Sequence, residues 1–271
     1  MHFGSYAATM RQLWQQKKNF AKLVVYDFSQ NFLASYLGLA WAIIGPLVTI
    51  LVLTLVFQFG FRVTQTDARG VAFVPWLACG MIPWFYFSDG LIRGADAVSS
   101  YAFLVRKAVF RISFLPAIRI LGAGIIHFAL MLFLVGMFFC FDIHPSIYWL
   151  QWFYYSALLF LFLLGVSWCT SAISLFVPDV NNILGVITTL GFWVTPIFWN
   201  PTMLPEKWHW VFFVNPAQYI IQGYRDTFLF HRWFWERPDV ETVCFAIWLA
   251  LVLLGGARVF KKLRPQFADV L

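Results

Sequence analysis

The topology of this chain depends on one stretch, WHWVFFVNPAQYIIQGYRD, at residues 208–226. From Trp208 to Tyr224 it holds seventeen residues without Lys, Arg, Asp or Glu, which is nearly enough to cross a bilayer. The Asn215-Pro216 pair interrupts this run in the middle, and an Arg-Asp pair closes it. The stretch either spans a membrane or enters it and returns, and the two alternatives give different numbers of spans.

The composition places the chain in a membrane. Of its 271 residues, 61% are hydrophobic and only 11% are charged, whereas soluble domains carry roughly 25% charged residues. A soluble core of this size would leave much of that apolar surface in water. The sequence therefore predicts an all-α polytopic membrane protein, with one transmembrane domain over residues 1–271. No secretory signal is expected, because residues 1–30 contain no continuous apolar segment.

The cysteines indicate packing rather than metal or disulfide chemistry. Each of the four stands singly within an apolar run, and that spacing fits neither a zinc site nor a disulfide framework. They are Cys79, Cys140, Cys169 and Cys244. No metal site is expected.

Charge-free runs define the expected spans, since about 20 apolar residues cross the hydrocarbon. The runs of sufficient length are residues 28–61, 70–88, 120–141, 143–178 and 180–205, and a shorter run at 242–257 reaches span length with its flanks. The first run is too long for one straight crossing, so a kink at Gly45-Pro46 is expected. Six transmembrane helices are therefore predicted.

Positive charges orient these spans. Residues 1–30, the loop 89–119 and the tail 258–271 alternate correctly if there are six spans with both termini in the cytoplasm. Thirteen Lys and Arg residues then lie inside and six lie outside. This bias predicts a multi-pass protein of the cytoplasmic (inner) membrane.

A seventh span at 208–224 conflicts with this charge distribution. It would place the basic tail outside and bury Asn215-Pro216 at mid-membrane, where backbone groups freed by the proline need protein partners. The stretch is therefore predicted to be re-entrant, within an external region at 206–241. Its closing Arg-Asp pair is then expected at the outer surface, where the arginine holds a gate helix, meets a lipid phosphate or only caps the returning helix.

Two cytoplasmic segments have amphipathic patterns. Residues 1–30 predict an interface helix along the inner membrane face, with a simple anchor as the alternative. The loop 89–119 is long for a helix–helix connection, and a short amphipathic helix is expected within it. A solvated basic loop that only orients the protein is the alternative there. The apolar residues of the short helix are Ala97, Val98, Tyr101, Leu104 and Val105.

Catalytic chemistry is not expected from this chain. It has no GxxxxGK[ST] phosphate loop, its cytoplasmic carboxylates are scattered, and its spans carry no Lys, Arg, Asp or Glu between their ends. Ion-coupled transporters normally carry such groups near mid-membrane, so secondary transport is disfavoured. His127, inside the third span, is expected to be a neutral histidine bonded to a neighbouring helix rather than a proton relay.

Aromatic side chains are abundant, because Phe, Trp and Tyr make up 21% of the chain. Rings that face a pore would offer flat platforms for sugar rings, each contact contributing about 0.5–1.5 kcal/mol. Weak repeated contacts suit a conduit for a polymer, since tight binding at one point would stop movement. Lipid-facing packing is the alternative for each ring. The channel-lining candidates are Tyr36, Trp41, Trp84, Phe192, Trp193 and Trp199.

Four motifs follow one another along the chain. They are YLGLAWAIIGP at 36–46, MIPWFYF at 81–87, TPI at 195–197 with LP at 204–205 and the later Asn215-Pro216 and Arg225, and FKKLRPQFAD at 260–269. Together they resemble the permease subunits of ABC-type exporters of cell-surface polysaccharides. The O-antigen and teichoic acid export permeases are the most similar, and the capsular polysaccharide permeases are more distant.

The resemblance implies a homodimer with six spans per subunit, joined to two copies of a separate ATP-binding subunit that holds ATP and magnesium. The substrate would be a lipid-linked polysaccharide that passes along the dimer interface. No cofactor on this chain and no nucleic-acid partner are implied. The loop 89–119 would be the coupling helix against the ATPase, with Val98, Tyr101, Val105, Arg106 and Lys107. The external gate would be formed by Asn215, Pro216, Tyr219 and Arg225.

Two alternatives remain for the function. One is an ABC exporter of the same architecture that moves a capsular polysaccharide, a teichoic acid, a lipid or a drug. The other is a membrane enzyme of glycan assembly. The aromatic content of the spans and the closing motif disfavour a drug exporter, and the absence of paired carboxylates disfavours the enzyme.

Overall fold

The computed structural model describes residues 20–30, 38–62, 70–103, 112–203, 205–208 and 210–270. These segments are helical with short connections, and no β-strand occurs within them. The expected all-α fold is confirmed.

The helices are named here in chain order. They are α1 (20–30), α2 (Gly38–Leu55, continued by a π-helical turn at Val56–Gly60), α3 (Phe73–Ala95), α4 (Leu115–Phe139), α5 (Gln151–Ser174), α6 (Asp179–Val194), α7 (Trp210–Val214), α8 (Pro216–Arg225), α9 (Asp239–Leu263) and α10 (Phe267–Val270).

Four of the described helical segments are long and apolar enough to cross a membrane. They are Gly38–Gly60, Ile112–Phe139, Ile147–Ser174 and Asp239–Gln266. The last one shows that the short run at 242–257 does extend through its flanks, as expected. α3 has 23 residues but is less apolar, and α6 has 16 residues.

The expected loop at 89–119 is shorter than the charge pattern indicated. α3 continues to Ala95 because Asp89 and Arg93 form an ion pair of 2.7 Å one turn apart, which stabilises the helix beyond the apolar run. α4 already begins at Leu115, with Pro116 in its first turn, where proline is well tolerated. The connection between the two helices is therefore residues 96–114.

α3 lies at the centre of the protein. Sixteen of its 23 residues are buried, and it packs against α4, α5 and α8. α2 and α6 also contact α3, but each buries only two residues and leaves most of its apolar surface exposed. The core is thus formed around one helix. α2, α6 and α9, which buries only three of its 25 residues, lie exposed at its edge.

The closest helix pair in the described chain joins α5 and α9. Gly165 faces Gly256, and a Cβ added to Gly256 would collide with the Gly165 carbonyl oxygen. Small residues at such a crossing let two backbones approach closely, which is how membrane helices gain packing energy without a strong hydrophobic driving force. The adjacent Gly255 has no atom within 4 Å of its added Cβ.

This crossing can be tested with two neighbouring glycines. Gly256→Ala should force α9 away from α5 and lower the free energy of unfolding by about 1–3 kcal/mol, as overpacking does. Gly255→Ala places the same methyl group in open space and should leave stability unchanged or slightly raise it, because Ala favours helix. Denaturant titration of the purified protein in mild detergent measures both. Equal stability of the two variants would show that the glycine contact does not hold the pair together.

Candidate gate and aromatic site

The Asn215-Pro216 pair separates two short helices. The Asn215 side chain caps α8 by accepting a hydrogen bond from the Ala217 N–H at 3.0 Å, and its amide donates to Thr195 Oγ1 at 2.9 Å. Pro216 occupies the first turn of α8, where its missing N–H costs nothing. At the end of α7, the Val214 carbonyl accepts from Trp248 Nε1 of α9 at 2.8 Å. The break predicted at this pair is therefore present and hydrogen-bonded on both sides.

Arg225 at the end of α8 is fully buried, with 1% of its surface exposed. Its guanidinium donates to the carbonyls of Pro196 and Ile197, at 2.9 and 2.6 Å, and lies 3.6 Å above the ring of Trp76. Gly80 leaves the necessary space, because a Cβ there would be 2.8 Å from Arg225 Nη2. The arginine thus joins α8 to α3 and to the segment that follows α6.

A second buried arginine holds the other side of α8. Arg237 donates to the Tyr219 carbonyl and to Glu241 Oε2, both at 2.6 Å, and its Nε lies 3.5 Å from Asp226 Oδ2. Burial raises the pKa of Asp226, although the positive charge of Arg237 opposes that shift. The ring of Tyr219 stacks on Phe245 of α9 at 4.5 Å between centroids. α8 is therefore bracketed by one arginine at each side.

The gate candidates are more enclosed than the sequence indicated. Arg225 and Asp226 were expected at the outer surface, but they are only 1% and 3% exposed, and Tyr219 is 4% exposed. Asn215 and Pro216 are half-buried. Of the roles considered for the arginine, the contacts match the one that holds a helix in place.

Four of the aromatic channel candidates come together. Trp84 lies 6.1 Å from Phe192 between ring centroids, Phe192 lies 5.6 Å from Trp193, and Trp199 donates its indole N–H to the Trp193 carbonyl. Trp193 is 60% exposed, whereas Trp84 is 5% exposed and packs beneath the other rings. We call these four residues the aromatic group.

Trp41, a fifth channel candidate, lies elsewhere. Trp41 on α2 is 59% exposed and borders a cavity of about 340 Å³ between α2, α3 and α4, away from the aromatic group. Tyr36 is outside the described residues.

Two of the coupling candidates, Val98 and Tyr101, belong to a small separate hydrophobic core, which we call the terminal cluster. Its buried members are Ala97, Val98, Tyr101, Leu115, Ile118, Ala172, Phe260 and Phe267, and residues of α1 pack against them. Val98 and Tyr101 are 0% and 4% exposed, so their side chains contact this chain rather than a partner. Phe103 is 52% exposed. Val105, Arg106 and Lys107 lie outside the described residues.

A buried polar contact stabilises the terminal cluster. Tyr101 donates its hydroxyl to Asp27 Oδ1 at 2.6 Å, and Arg119 forms an ion pair with the same oxygen at 2.9 Å. Burial and the bond to Asp27 raise the pKa of the Tyr101 hydroxyl, which stays a donor at neutral pH. α1, the segment after α3 and α4 are thereby connected.

His127 on α4 is bonded to a neighbouring element, as expected. Its Nε2 lies 2.9 Å from the hydroxyl oxygen of Tyr224 on α8, which in turn lies 2.7 Å from Ser156 Oγ on α5. The histidine ring also stacks on Tyr86 at 4.8 Å. This cluster links three helices through neutral polar groups.

Sequence reasoning missed Arg237 and Asp27 as residues that join separate parts of the structure. The signal available was their rarity, since charged groups are few in this chain and buried ones need partners. Within the described residues, no group of three or more His, Cys, Asp or Glu side chains is placed to hold a metal ion.

Comparison with known proteins identifies the family of this chain. Residues 18–229 match the ABC-2 type transporter family, which covers more than half of the sequence. This chain belongs to the ABC-2 type transporters. Membership implies a multi-pass membrane subunit that works with an ATP-binding partner subunit.

Similar proteins from two bacteria carry the same descriptive name. Two proteins of Klebsiella pneumoniae named O-antigen export system permease protein RfbA are 25% and 24% identical to it, over 90% of this chain and 92% of each relative. A protein of the same name from Myxococcus xanthus is 24% identical over 96% of this chain and 98% of its own length. The expected resemblance to polysaccharide export permeases is confirmed.

The hydrogen bonds from Arg225 to two carbonyls predict that replacing this arginine lowers the free energy of unfolding. Arg225→Lys keeps the charge, but a lysine lacks the planar fork that serves two carbonyls and stacks on Trp76. The free energy of unfolding should fall by about 1–3 kcal/mol, because a buried acceptor loses its donor. Arg258→Lys, at an exposed position on α9, is the matched control and should change stability by less than about 0.5 kcal/mol. If both lysine variants unfold alike, Arg225 does not hold α8.

Proposed function

We propose that this chain is the membrane-spanning subunit of an ATP-driven exporter that moves a lipid-linked, O-antigen-like polysaccharide across the cytoplasmic membrane. The observation that carries the proposal is the similarity to O-antigen export system permeases over at least 90% of the chain. The chain itself performs no chemistry. ATP and Mg²⁺ bind to the partner subunit, two copies of which join a homodimer of this chain.

The proposed topology has six spans, formed by α2, α3, α4, α5, α6 and α9, with both termini in the cytoplasm. The terminal cluster supports it, because α1 near one end of the chain packs with Phe260 and Phe267 near the other end. Two ends of a chain reach the same side of a membrane only after an even number of crossings. The excess of Lys and Arg in the same segments supports a cytoplasmic location for that side.

The region 206–241 is proposed to enter and leave from the outside. α8 has ten residues and a π-helical turn at Asp226–Phe230 continues it, so at 1.5 Å per residue the whole segment is at most about 23 Å long, against about 30 Å of hydrocarbon. α7 has five residues. Neither helix crosses the membrane alone, and Asn215-Pro216 turns the chain between them.

The exposed apolar faces of α2 and α6 are proposed to meet the second subunit and border the channel. Both helices pack on α3, and the aromatic group lies at the α6 side of this surface. The exposed residues on α6 include Ile183, Val186, Ile187, Leu190 and Trp193. Trp193 presents its ring at the channel and is the best placed of the aromatic candidates to contact sugar rings.

The ATP-binding subunit is proposed to dock on the connection between α3 and α4. Val98 and Tyr101 attach this segment to the terminal cluster, and the exposed Phe103 is left to contact the partner. An ATP-driven movement of this segment would act directly on α3, the central helix.

Single cysteines test the topology. In a background without Cys79, Cys140, Cys169 and Cys244, Lys207→Cys and Asp239→Cys should react with an impermeant thiol reagent outside intact spheroplasts. Arg258→Cys should react only after the membrane is permeabilised. Labelling of Lys207→Cys alone, with Asp239→Cys protected until permeabilisation, would contradict the six-span topology.

Export is tested in a host whose own permease gene is deleted. Wild-type chain with its ATP-binding subunit should restore surface polysaccharide, and continued display without the chain would refute the proposed function. Trp193→Leu should slow export roughly twofold to tenfold, since one aromatic contact contributes about 0.5–1.5 kcal/mol. Trp193→Phe retains a ring and should export at nearly the wild-type rate. If the leucine and phenylalanine variants export equally, the ring only packs. Rates are compared at equal amounts of permease in the membrane.

A further inference from the structure

A polar cavity lies beside α8, and Phe212 in its wall lies 5.6 Å from Trp199 of the aromatic group between ring centroids. It has a volume of about 240 Å³ and lies between α7, α8 and the start of α9. Its wall includes Gln218, Gln222, Asp226, Arg232 and Glu241. In a chain with only 11% charged residues, so many hydrogen-bonding groups around one space indicate a site for a polar ligand.

One wall group has a hydrogen-bonding capacity that the described residues do not use. Gln218 is 8% exposed, and its Oε1 is buried without a hydrogen-bond partner among the described residues. A buried acceptor in this condition costs about 1–3 kcal/mol. Its neighbour Gln222, in contrast, donates to Asp226 Oδ1 at 3.0 Å. This oxygen lies just beneath the cavity wall, so a turn of the Gln218 side-chain amide presents an unused acceptor to a ligand that carries an O–H or N–H donor.

The charges of the wall balance. Asp226 and Glu241 supply two carboxylates, and Arg232 and Arg237 supply two guanidinium groups. Arg237 is already occupied by Asp226, Glu241 and the Tyr219 carbonyl. A ligand with a net charge would meet no net opposite charge here, so the site favours a neutral molecule with several hydroxyl groups.

The cavity also has an apolar side. Phe212 is 8% exposed and Phe213 is 37% exposed, and both line the space. An aromatic wall facing amides and carboxylates suits a molecule with an apolar face and a polar rim. A volume of about 240 Å³ is large enough for one sugar ring.

We propose that this cavity is a binding subsite for a single neutral pyranose residue at the external side of the protein. One ring hydroxyl donates to Gln218 Oε1, and the apolar face of the ring packs on Phe213. The proposal rests on polysaccharide export as the function, and it adds a point where the emerging chain is held beside the gate helix α8. The same groups accept a free saccharide of this chemistry.

The test measures saccharide binding by saturation-transfer difference NMR. The full-length chain with its ATP-binding subunit is placed in lipid nanodiscs, so that no glycoside detergent competes. The probes are the methyl pyranosides of glucose, galactose and mannose, with glucuronate as the charged comparison. Wild type should bind at least one neutral glycoside more tightly than glucuronate.

Gln218→Met removes the acceptor at nearly constant volume and should weaken this binding roughly threefold to tenfold. Gln266→Met, in the exposed segment before α10, is the matched control and should bind as wild type does. Phe213→Ala changes a partly exposed side chain and should weaken binding roughly twofold to tenfold. If Gln218→Met does not fold, binding by Phe213→Ala tests the subsite instead.

Three results would overturn the subsite: no glycoside binding by wild type, equal binding by folded Gln218→Met, or, where that variant does not fold, equal binding by Phe213→Ala. Export measured on the same proteins keeps the two proposals separate. A chain that exports polysaccharide but binds no glycoside refutes only the subsite. A chain that binds glycosides but supports no export refutes the proposed function and leaves a saccharide site.

Discussion

The buried guanidinium of Arg225 is the constraint on which the structure around α8 depends. A positive charge inside a charge-poor protein needs hydrogen-bond acceptors close by, because its burial is otherwise very costly. Here two backbone carbonyls after α6 and the face of Trp76 on α3 supply them. Three parts of the chain that are distant in sequence are therefore held at one point. α8 cannot shift without leaving either the cation or the carbonyls unsatisfied.

A comparable contact holds the opposite end of the protein. Asp27 accepts from Tyr101 and pairs with Arg119, which fastens α1 and the segment after α3 to α4. Trp76 lies near the start of α3, and Tyr101 lies six residues beyond its end at Ala95. α3 is thus continuous between the two polar contacts. A displacement of the terminal cluster would reach Arg225 through one packed helix, which gives the proposed coupling a physical route.

The two buried networks contrast with the exposed edge of the protein. α2 and α6 leave broad apolar faces uncovered, and membrane helices of this kind are satisfied by lipid or by another protein. Trp193 stands on that edge, while Trp84 behind it is enclosed. The sugar-facing role proposed for the aromatic group therefore belongs to its exposed member. The polar cavity beside α8 combines the rings of Phe212 and Phe213 with hydrogen-bonding side chains.

Composition and charge pattern alone determined the membrane setting, the helical fold and the break at Asn215-Pro216, because these depend on local chemistry and on the length of apolar runs. The motifs also determined the family. The ends of the helices were harder to predict from the sequence, since α3 extends beyond its apolar run through the Asp89–Arg93 pair. Only the tertiary structure decided which aromatic rings are exposed, and it showed Val98, Tyr101 and Arg225 to be buried. Burial depends on what the rest of the chain packs against a residue, and no local pattern records those partners.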